Sequence, residues 1–183
     1  MRLLIKIVFL FAMVLPVLFS CESNFRDVQR INSVAFSPVG ESEDVDLKYT
    51  DSGKVKAVMV SKLMLDYTQL EYGFNEFPKG VKITLYDTSG NKTYIEANYG
   101  IRYEGTDVMD LRGNVRISTD DGKLLTTEQL YYDQKNEWFY TEQYFKYRDS
   151  QGNNLEGPGL DCSKDFKVFN VQRSKGALNQ LQE

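Results

Sequence analysis

Residues 81–97 have the sequence VKITLYDTSGNKTYIEA. Val81, Ile83 and Leu85 alternate with polar residues before an Asp-to-Gly turn at residues 87–90, and the alternation resumes after the turn. Period-2 alternation on both sides of such a turn is typical of a β-hairpin with one buried and one solvated face. The stretch therefore predicts an antiparallel ribbon with a single apolar face.

The same turn signal occurs four times along the chain, at residues 51–53, 87–90, 120–122 and 149–152. Its glycines lie 37, 32 and 30 residues apart, and a near-regular period of this size indicates one supersecondary unit used repeatedly. No long segment with helical periodicity follows residue 45. We therefore predict an all-β fold, an elongated twisted antiparallel β-jellyroll, with a compact β-sandwich as the alternative.

Apolar residues of successive units are expected to line the interior as one continuous stripe. Nine residues form the predicted stripe: Val81, Ile83, Leu85, Ile95, Ala97, Tyr99, Ile101, Val115 and Ile117. A dry core requires the same pattern, so the pattern alone does not separate a groove from ordinary packing. Residues 124–132 alternate less regularly, which is compatible with a β-bulge. The aromatic residues of 131–140 are predicted as core, with a docking surface as the alternative.

The N-terminus has the features of an export signal. Residues 1–6 are basic and residues 7–19 are almost wholly apolar, which predicts a signal peptide over residues 1–20. The following Leu-Phe-Ser-Cys at 18–21 resembles the bacterial lipobox, and this resemblance implies lipid attachment at Cys21. An uncleaved membrane anchor is the alternative. Both tether the chain to a membrane on its extracytoplasmic side.

The domain boundaries predicted from these patterns divide the chain into four parts. They are a signal peptide (1–20), a lipidated N-terminus and tether (21–44), a β-jellyroll domain (45–176) and a frayed C-terminus (177–183). If Cys21 is modified, Cys162 has no partner for an internal disulfide and is expected to be a small buried apolar residue.

Composition excludes several classes of function. The net charge is −4 and no basic stripe occurs, so nucleic acid is not an expected partner. The chain contains no histidine, which excludes Ser-His-Asp and Cys-His nucleophiles and every His-ligated metal site. We predict no catalytic, metal or cofactor site. A glycan hydrolase that uses only carboxylates remains an alternative.

Residues 77–100 and 111–133 resemble the LptC family of periplasmic lipopolysaccharide export proteins, which share an LptA/OstA-like β-jellyroll open at both ends. Each stretch has a Gly-apolar-x-apolar strand, an Asp/Gly turn and a Thr-containing return strand, and the second closes on Tyr-Asp. The resemblance covers about residues 45–176.

This resemblance implies a function that is not enzymatic. It implies a membrane-anchored protein on the periplasmic side of the inner membrane that accepts lipopolysaccharide from an ABC transporter. It also implies transfer to another jellyroll, an LptA-like protein, by edge-strand pairing, with the nine stripe residues as candidates for an acyl-chain groove. The alternative is a structural envelope lipoprotein that docks partners by strand addition.

Overall fold

The computed structural model describes residues 36–171 and 173–177. This part of the chain contains strands and no helix, which confirms the predicted all-β class. The strands are β1 (Gly40–Asp51), β2 (Lys54–Asp66), β3 (Phe74–Phe77), β4 (Val81–Tyr86), β5 (Lys92–Ala97), β6 (Tyr99–Tyr103), β7 (Val108–Thr119), β8 (Leu124–Asp133), β9 (Trp138–Arg148), β10 (Asn154–Ser163), β11 (Phe169–Val171) and β12 (Lys175–Ala177).

The chain divides into two units, residues 1–37 and 38–183, and every described strand lies in the second. The predicted signal peptide and Cys21 lie outside the described residues, as does the predicted frayed end beyond residue 177. Residues 40–44, predicted as part of the tether, instead begin β1. Their acidic side chains do not show the apolar alternation of a strand, because β1 pairs only with β2 and leaves most of its side chains exposed.

All strand pairs are antiparallel and form one sheet, whose main path runs β11-β10-β9-β8-β7-β5-β4-β2-β3-β6. β2 pairs with β4 through residues 57–60 and with β3 through residues 65–66. β7 likewise pairs with β6 through one half and with β5 through the other. In the described part of the chain, β1 forms one edge and β11 and β12 form the other.

The four Asp/Gly turns close alternate hairpins and therefore lie at one end of the sheet. At two of these turns an aspartate acts as a local cap. The Asp87 carboxylate accepts the backbone N–H groups of Ser89 and Asn91, each at 2.8 Å. Asp149 accepts those of Gln151 and Asn153 at 2.9 and 3.0 Å. At these two turns the hydrogen bonds explain why an aspartate precedes the glycine.

A line of irregular pairing crosses the sheet, and we call it the crease. Register shifts occur between residues 112 and 115 of β7, between 127 and 131 of β8, and between 158 and 160 of β10. The bulge left open for residues 124–132 is therefore present. At the same line β5 ends and β6 begins, because the N–H of Asn98 donates to the Gly113 carbonyl at 3.0 Å. A β-bulge bends its strand, and because the bulges of neighbouring strands lie side by side, the whole sheet folds along this line.

Buried hydroxyl groups donate hydrogen bonds to backbone carbonyls along the crease. Ser61 Oγ donates to the Gly80 carbonyl at 2.7 Å. Thr127 Oγ1 donates to the Tyr144 carbonyl at 3.1 Å, and Thr141 Oγ1 donates to the Gln129 carbonyl at 2.5 Å. All three hydroxyl-bearing residues are buried. Irregular backbone inside a protein needs such partners, since an unpaired buried carbonyl costs free energy.

The crease separates two layers of the folded sheet. Layer A carries the Asp/Gly turns and contains residues 81–97, 115–127 and 144–157; layer B contains residues 74–77, 99–112, 130–141 and 160–171. Phe166 shows that the layers face each other. Its ring centroid lies 5.6 Å from that of Tyr147 and 6.0 Å from that of Phe139. An extended β9 would hold those two residues about 26 Å apart, so the strand must bend at the crease.

Candidate functional site

Seven of the nine predicted stripe residues lie together in the buried apolar cluster between the layers. They are Val81, Ile83, Leu85, Ile95, Ala97, Val115 and Ile117. Register explains the grouping, because Ile83 lies opposite Ile95 and Ile95 lies opposite Ile117. Cross-strand neighbours on one face pack directly against each other. These side chains therefore form a continuous inner stripe in layer A, and in this structure the stripe is packed.

Tyr99 and Ile101 do not belong to the stripe, and their predicted inward orientation is wrong. Gly100 is the inward position of β6, since a Cβ there would lie 3.0 Å from Val81 Cγ1 and 3.5 Å from Leu111 Cδ2. The unbroken alternation predicted over residues 95–103 fails because Asn98 lies on the crease and reverses the parity of the strand. Tyr99 faces outward, where its hydroxyl donates to Glu76 Oε1 at 2.8 Å.

The aromatic segment 131–140 is divided between the two faces of layer B. Tyr132 and Phe139 belong to the buried cluster. Tyr131, Trp138 and Tyr140 alternate with them and face outward. The core prediction is therefore right for two of these side chains and wrong for the other three.

The inner face is uncovered at the β1 end. Leu47 lies opposite Met59 and Tyr49 lies opposite Ala57. Met59 belongs to the buried cluster and Ala57 packs against it. Leu47 is nevertheless 42% exposed and Tyr49 is 65% exposed. Two large apolar side chains on the core-facing side of a sheet thus meet solvent, and the inner stripe continues to an open end.

The opposite end of the stripe is closed by the loop between β10 and β11. Phe166 is buried and packs against Phe139, Tyr147 and Phe169. Its backbone has a φ of 58°, an uncommon value for a bulky residue. The Phe166 N–H donates to the Ser163 carbonyl at 2.9 Å and helps to hold this conformation. The sequence contains no pattern that reveals this closure.

Hydrogen bonds and ion pairs of carboxylate groups stabilise the loop between β10 and β11. Partial burial raises the pKa of Asp165, but hydrogen bonds from Ser163 and Lys167 outweigh this effect and lower the pKa to about 2. Lys167 Nζ lies 2.9 Å from Asp165 Oδ2. Lys164 Nζ, on the same loop, lies 2.5 Å from Glu137 Oε1 in the turn between β8 and β9. The loop is therefore fixed both internally and to its neighbour.

Cys162 is a free, buried cysteine beside this end of the core, in agreement with its predicted role. Burial raises the pKa of its thiol to about 12, and the nearby carboxylates of Asp161 and Asp165 act in the same direction. A neutral thiol is a poor nucleophile and a poor metal ligand. Cys162 is therefore a packing residue.

A surface pocket of about 460 Å³ lies over β8, β9, β10 and β12 and does not coincide with the predicted stripe. Lys146, Arg148 and Lys175 line it together with Leu124 and Leu155. None of the nine predicted residues contributes to its wall.

The matching family model is described as "Lipopolysaccharide-assembly, LptC-related", and it covers residues 7–176. The chain belongs to the LptC family. The LptC family comprises proteins of lipopolysaccharide transport and assembly that bind lipopolysaccharide and other Lpt proteins on the periplasmic side of the inner membrane.

A comparison with curated proteins gives no match. Within residues 36–171 and 173–177 we find no helix with the length and apolar character needed to span a membrane.

The inner stripe of this LptC-family chain lies in a β-jellyroll whose β1 end is open and whose β11 end is closed.

Proposed function

We propose that this chain is a membrane-anchored component of lipopolysaccharide export. In this proposal it accepts lipopolysaccharide from an inner-membrane ABC transporter and passes it along a β-jellyroll bridge toward the outer membrane. Membership in the LptC family supports the lipopolysaccharide class of substrate. The open inner face at β1 is the single observation that supports a role in binding acyl chains.

Acyl chains need an apolar path because water strongly disfavours them. Exposure of a dozen methylene groups costs roughly 10 kcal/mol, at about 0.8 kcal/mol for each group. Leu47 and Tyr49 offer apolar contact at the open end, and Met59 connects them to the buried stripe. A chain that enters there displaces side-chain contacts between the layers and replaces them with contacts of the same apolar kind.

The sheet edges support the proposed bridge. β1 has a hydrogen-bonded neighbour on one side only among the described residues, and β11 and β12 cover separate parts of β10. Unpaired edges are normally protected in soluble proteins. An LptA-like jellyroll or a jellyroll of the transporter can extend such an edge by strand addition.

We further propose that Cys21 carries the lipid anchor and holds the domain at the periplasmic side of the inner membrane. Several acyl chains on one cysteine give stable membrane binding. The resemblance of residues 18–21 to a lipobox supports this part of the proposal.

A photo-crosslinking amino acid in place of Leu47 tests the lipid path. Val60 provides a matched control, because it is 43% exposed and lies on the opposite face of the neighbouring strand, paired with Asp46. We expect a lipopolysaccharide adduct at position 47, strengthened when the transporter hydrolyses ATP, and none at position 60. Equal labelling at both positions, or no adduct at position 47 in folded and anchored protein, would contradict the proposal.

The second candidate function is a scaffold that docks envelope proteins through β1, and the free edge favours it. It predicts protein adducts along β1 without lipid adducts at Leu47. The same crosslinking experiment therefore decides between the two functions.

A further inference from the structure

The outer face of layer B carries a row of polar and aromatic side chains that the lipid path does not use. Successive strands place these residues directly opposite one another, and the row is Ile101, Asp110, Tyr131, Tyr140 and Asp161. β6 to β10 each have a neighbour on both sides here. The row is therefore a continuous surface in the middle of the sheet, where a further strand cannot add.

An ion pair at the centre of this surface is unusually buried for the solvent side of a sheet. Asp110 is 1% exposed. It accepts hydrogen bonds from Arg112 Nε at 3.0 Å, from Arg112 Nη2 at 2.5 Å and from Gln129 Nε2 at 2.8 Å. Burying a carboxylate is costly, and only full hydrogen bonding offsets the cost. The arrangement holds the half-exposed Arg112 guanidinium in a fixed direction with further N–H groups free to donate.

A flat aromatic surface lies beside the ion pair. The rings of Tyr131 and Tyr140 stack with centroids 5.0 Å apart and planes inclined by 19°. Gln129 Nε2 also donates to the Tyr131 hydroxyl at 3.0 Å, so the inner ring is fixed to the ion pair. Tyr140 is 36% exposed and forms the outer ring of the stack.

One acceptor beside the stack has no partner. Asp161 lies opposite Tyr140 on the neighbouring strand. Its Oδ1 atom is inaccessible to solvent and accepts no hydrogen bond from any described residue. An unsatisfied buried acceptor is unfavourable, and a ligand hydroxyl that reaches this atom after a local side-chain movement supplies the missing hydrogen bond.

From these groups we infer a binding site for a neutral carbohydrate. The C–H face of a sugar ring packs on Tyr140, its hydroxyls donate to Asp161, and its oxygens accept from Arg112. An anionic ligand is disfavoured because Glu76, Asp110 and Asp161 outnumber the one guanidinium in the row and its flank. The site lies on the opposite face of the sheet from the inner stripe and stands independently of the proposed lipid path.

The test is a titration of the full chain with maltohexaose and with cellohexaose. The protein is kept in lauryldimethylamine oxide, since a sugar-based detergent would compete for the site. Trp138 is the sole tryptophan and lies two residues from Tyr140 on the same face, so its emission reports binding. We expect a saturable shift with a Kd on the order of 1 mM for at least one sugar, together with saturation-transfer NMR signals.

Two variants and one control make the test specific. Tyr140→Ala and Asp161→Leu should each weaken binding by about tenfold or more, which corresponds to about 1.4 kcal/mol. Tyr94→Ala is the matched control, because Tyr94 is 37% exposed on the outer face of layer A and should leave the affinity unchanged. Absence of saturable binding by wild type up to about 20 mM sugar, or equal weakening in the control, would overturn the inference.

A third arm identifies the source of the glycan. Lipid-free polysaccharide released from lipopolysaccharide by mild acid should bind with Tyr140 dependence if the sugar belongs to the transported molecule. Binding of hexasaccharides alone assigns the site to a separate glycan and still supports the inference. Loss of lipid adducts at Leu47 with intact sugar binding would count against the lipid path only.

Discussion

At the scale of single residues, three buried hydroxyl groups make hydrogen bonds that apolar side chains of the same size cannot make. Ser61, Thr127 and Thr141 donate to backbone carbonyls along the crease. The sequence pattern gives no reason for a hydroxyl at these positions. The reason appears only once the strands are paired, because the carbonyls belong to distant segments.

Thr141→Val should therefore destabilise the fold although it keeps the volume of the side chain. It removes the 2.5 Å hydrogen bond to the Gln129 carbonyl and the 3.0 Å hydrogen bond that Thr141 Oγ1 accepts from the Gln143 N–H, and each such bond contributes about 0.5–1.5 kcal/mol. Urea unfolding measures the change. Thr88→Val, in the exposed turn between β4 and β5, is the control and should change the free energy of unfolding by less than about 0.5 kcal/mol. A neutral Thr141→Val would show that the crease needs no hydroxyl at this position.

Asp165 gives a pH dependence of known sign. Its pKa in the folded protein is about 2, below the ordinary value of 3.8. The carboxylate therefore contributes stability that is fully present above about pH 4 and is lost as the pH falls towards 2. Asp165→Asn should be less stable than wild type at neutral pH and should lose less stability between pH 4 and pH 2. Exposed Glu71→Gln is the control; parallel pH curves for wild type and Asp165→Asn would contradict the assigned role.

At the scale of elements, alternation predicts hairpins well and fails where strands cross the crease. The stretch from Ile95 to Tyr103 has uninterrupted apolar alternation, yet Asn98 lies between β5 and β6, and β6 continues with reversed parity. One residue outside the ladder moves every later side chain to the other face. Sequence alone gives no signal for this reversal, since Tyr99 and Ile101 continue the alternation of Ile95 and Ala97 without a break.

The loop between β10 and β11 is an element whose role the sequence does not reveal. Phe166→Ala should lower the free energy of unfolding by about 3–5 kcal/mol, because it empties a space lined by Phe139, Tyr147 and Phe169. Val168→Ala, half-exposed in the same loop, should cost less than about 1 kcal/mol. Urea unfolding of both variants decides the point, and similar small losses would mean that Phe166 does not join the layers.

At the scale of the whole molecule, the class of fold and most of the inner stripe follow from the sequence. Four Asp/Gly turns fix the hairpins, and period-2 patterns fix the buried face of β4, β5 and the turn-side half of β7. The fold of the sheet into two layers does not follow, because aligned bulges in separate strands arise from pairing. The difference between an open β1 end and a closed β11 end also depends on tertiary contacts.

The most direct measurement of the lipid path is methyl NMR of the folded protein with bound lipopolysaccharide. Nuclear Overhauser effects between acyl-chain protons and the methyl groups of Leu47 are expected, together with shifts at Met59 next to it on the inner face. Val60 has the same exposure on the outer face and should show neither. Effects at Val60 equal to those at Leu47, or lipopolysaccharide binding that leaves Leu47 unchanged, would show that fatty chains do not lie between the layers.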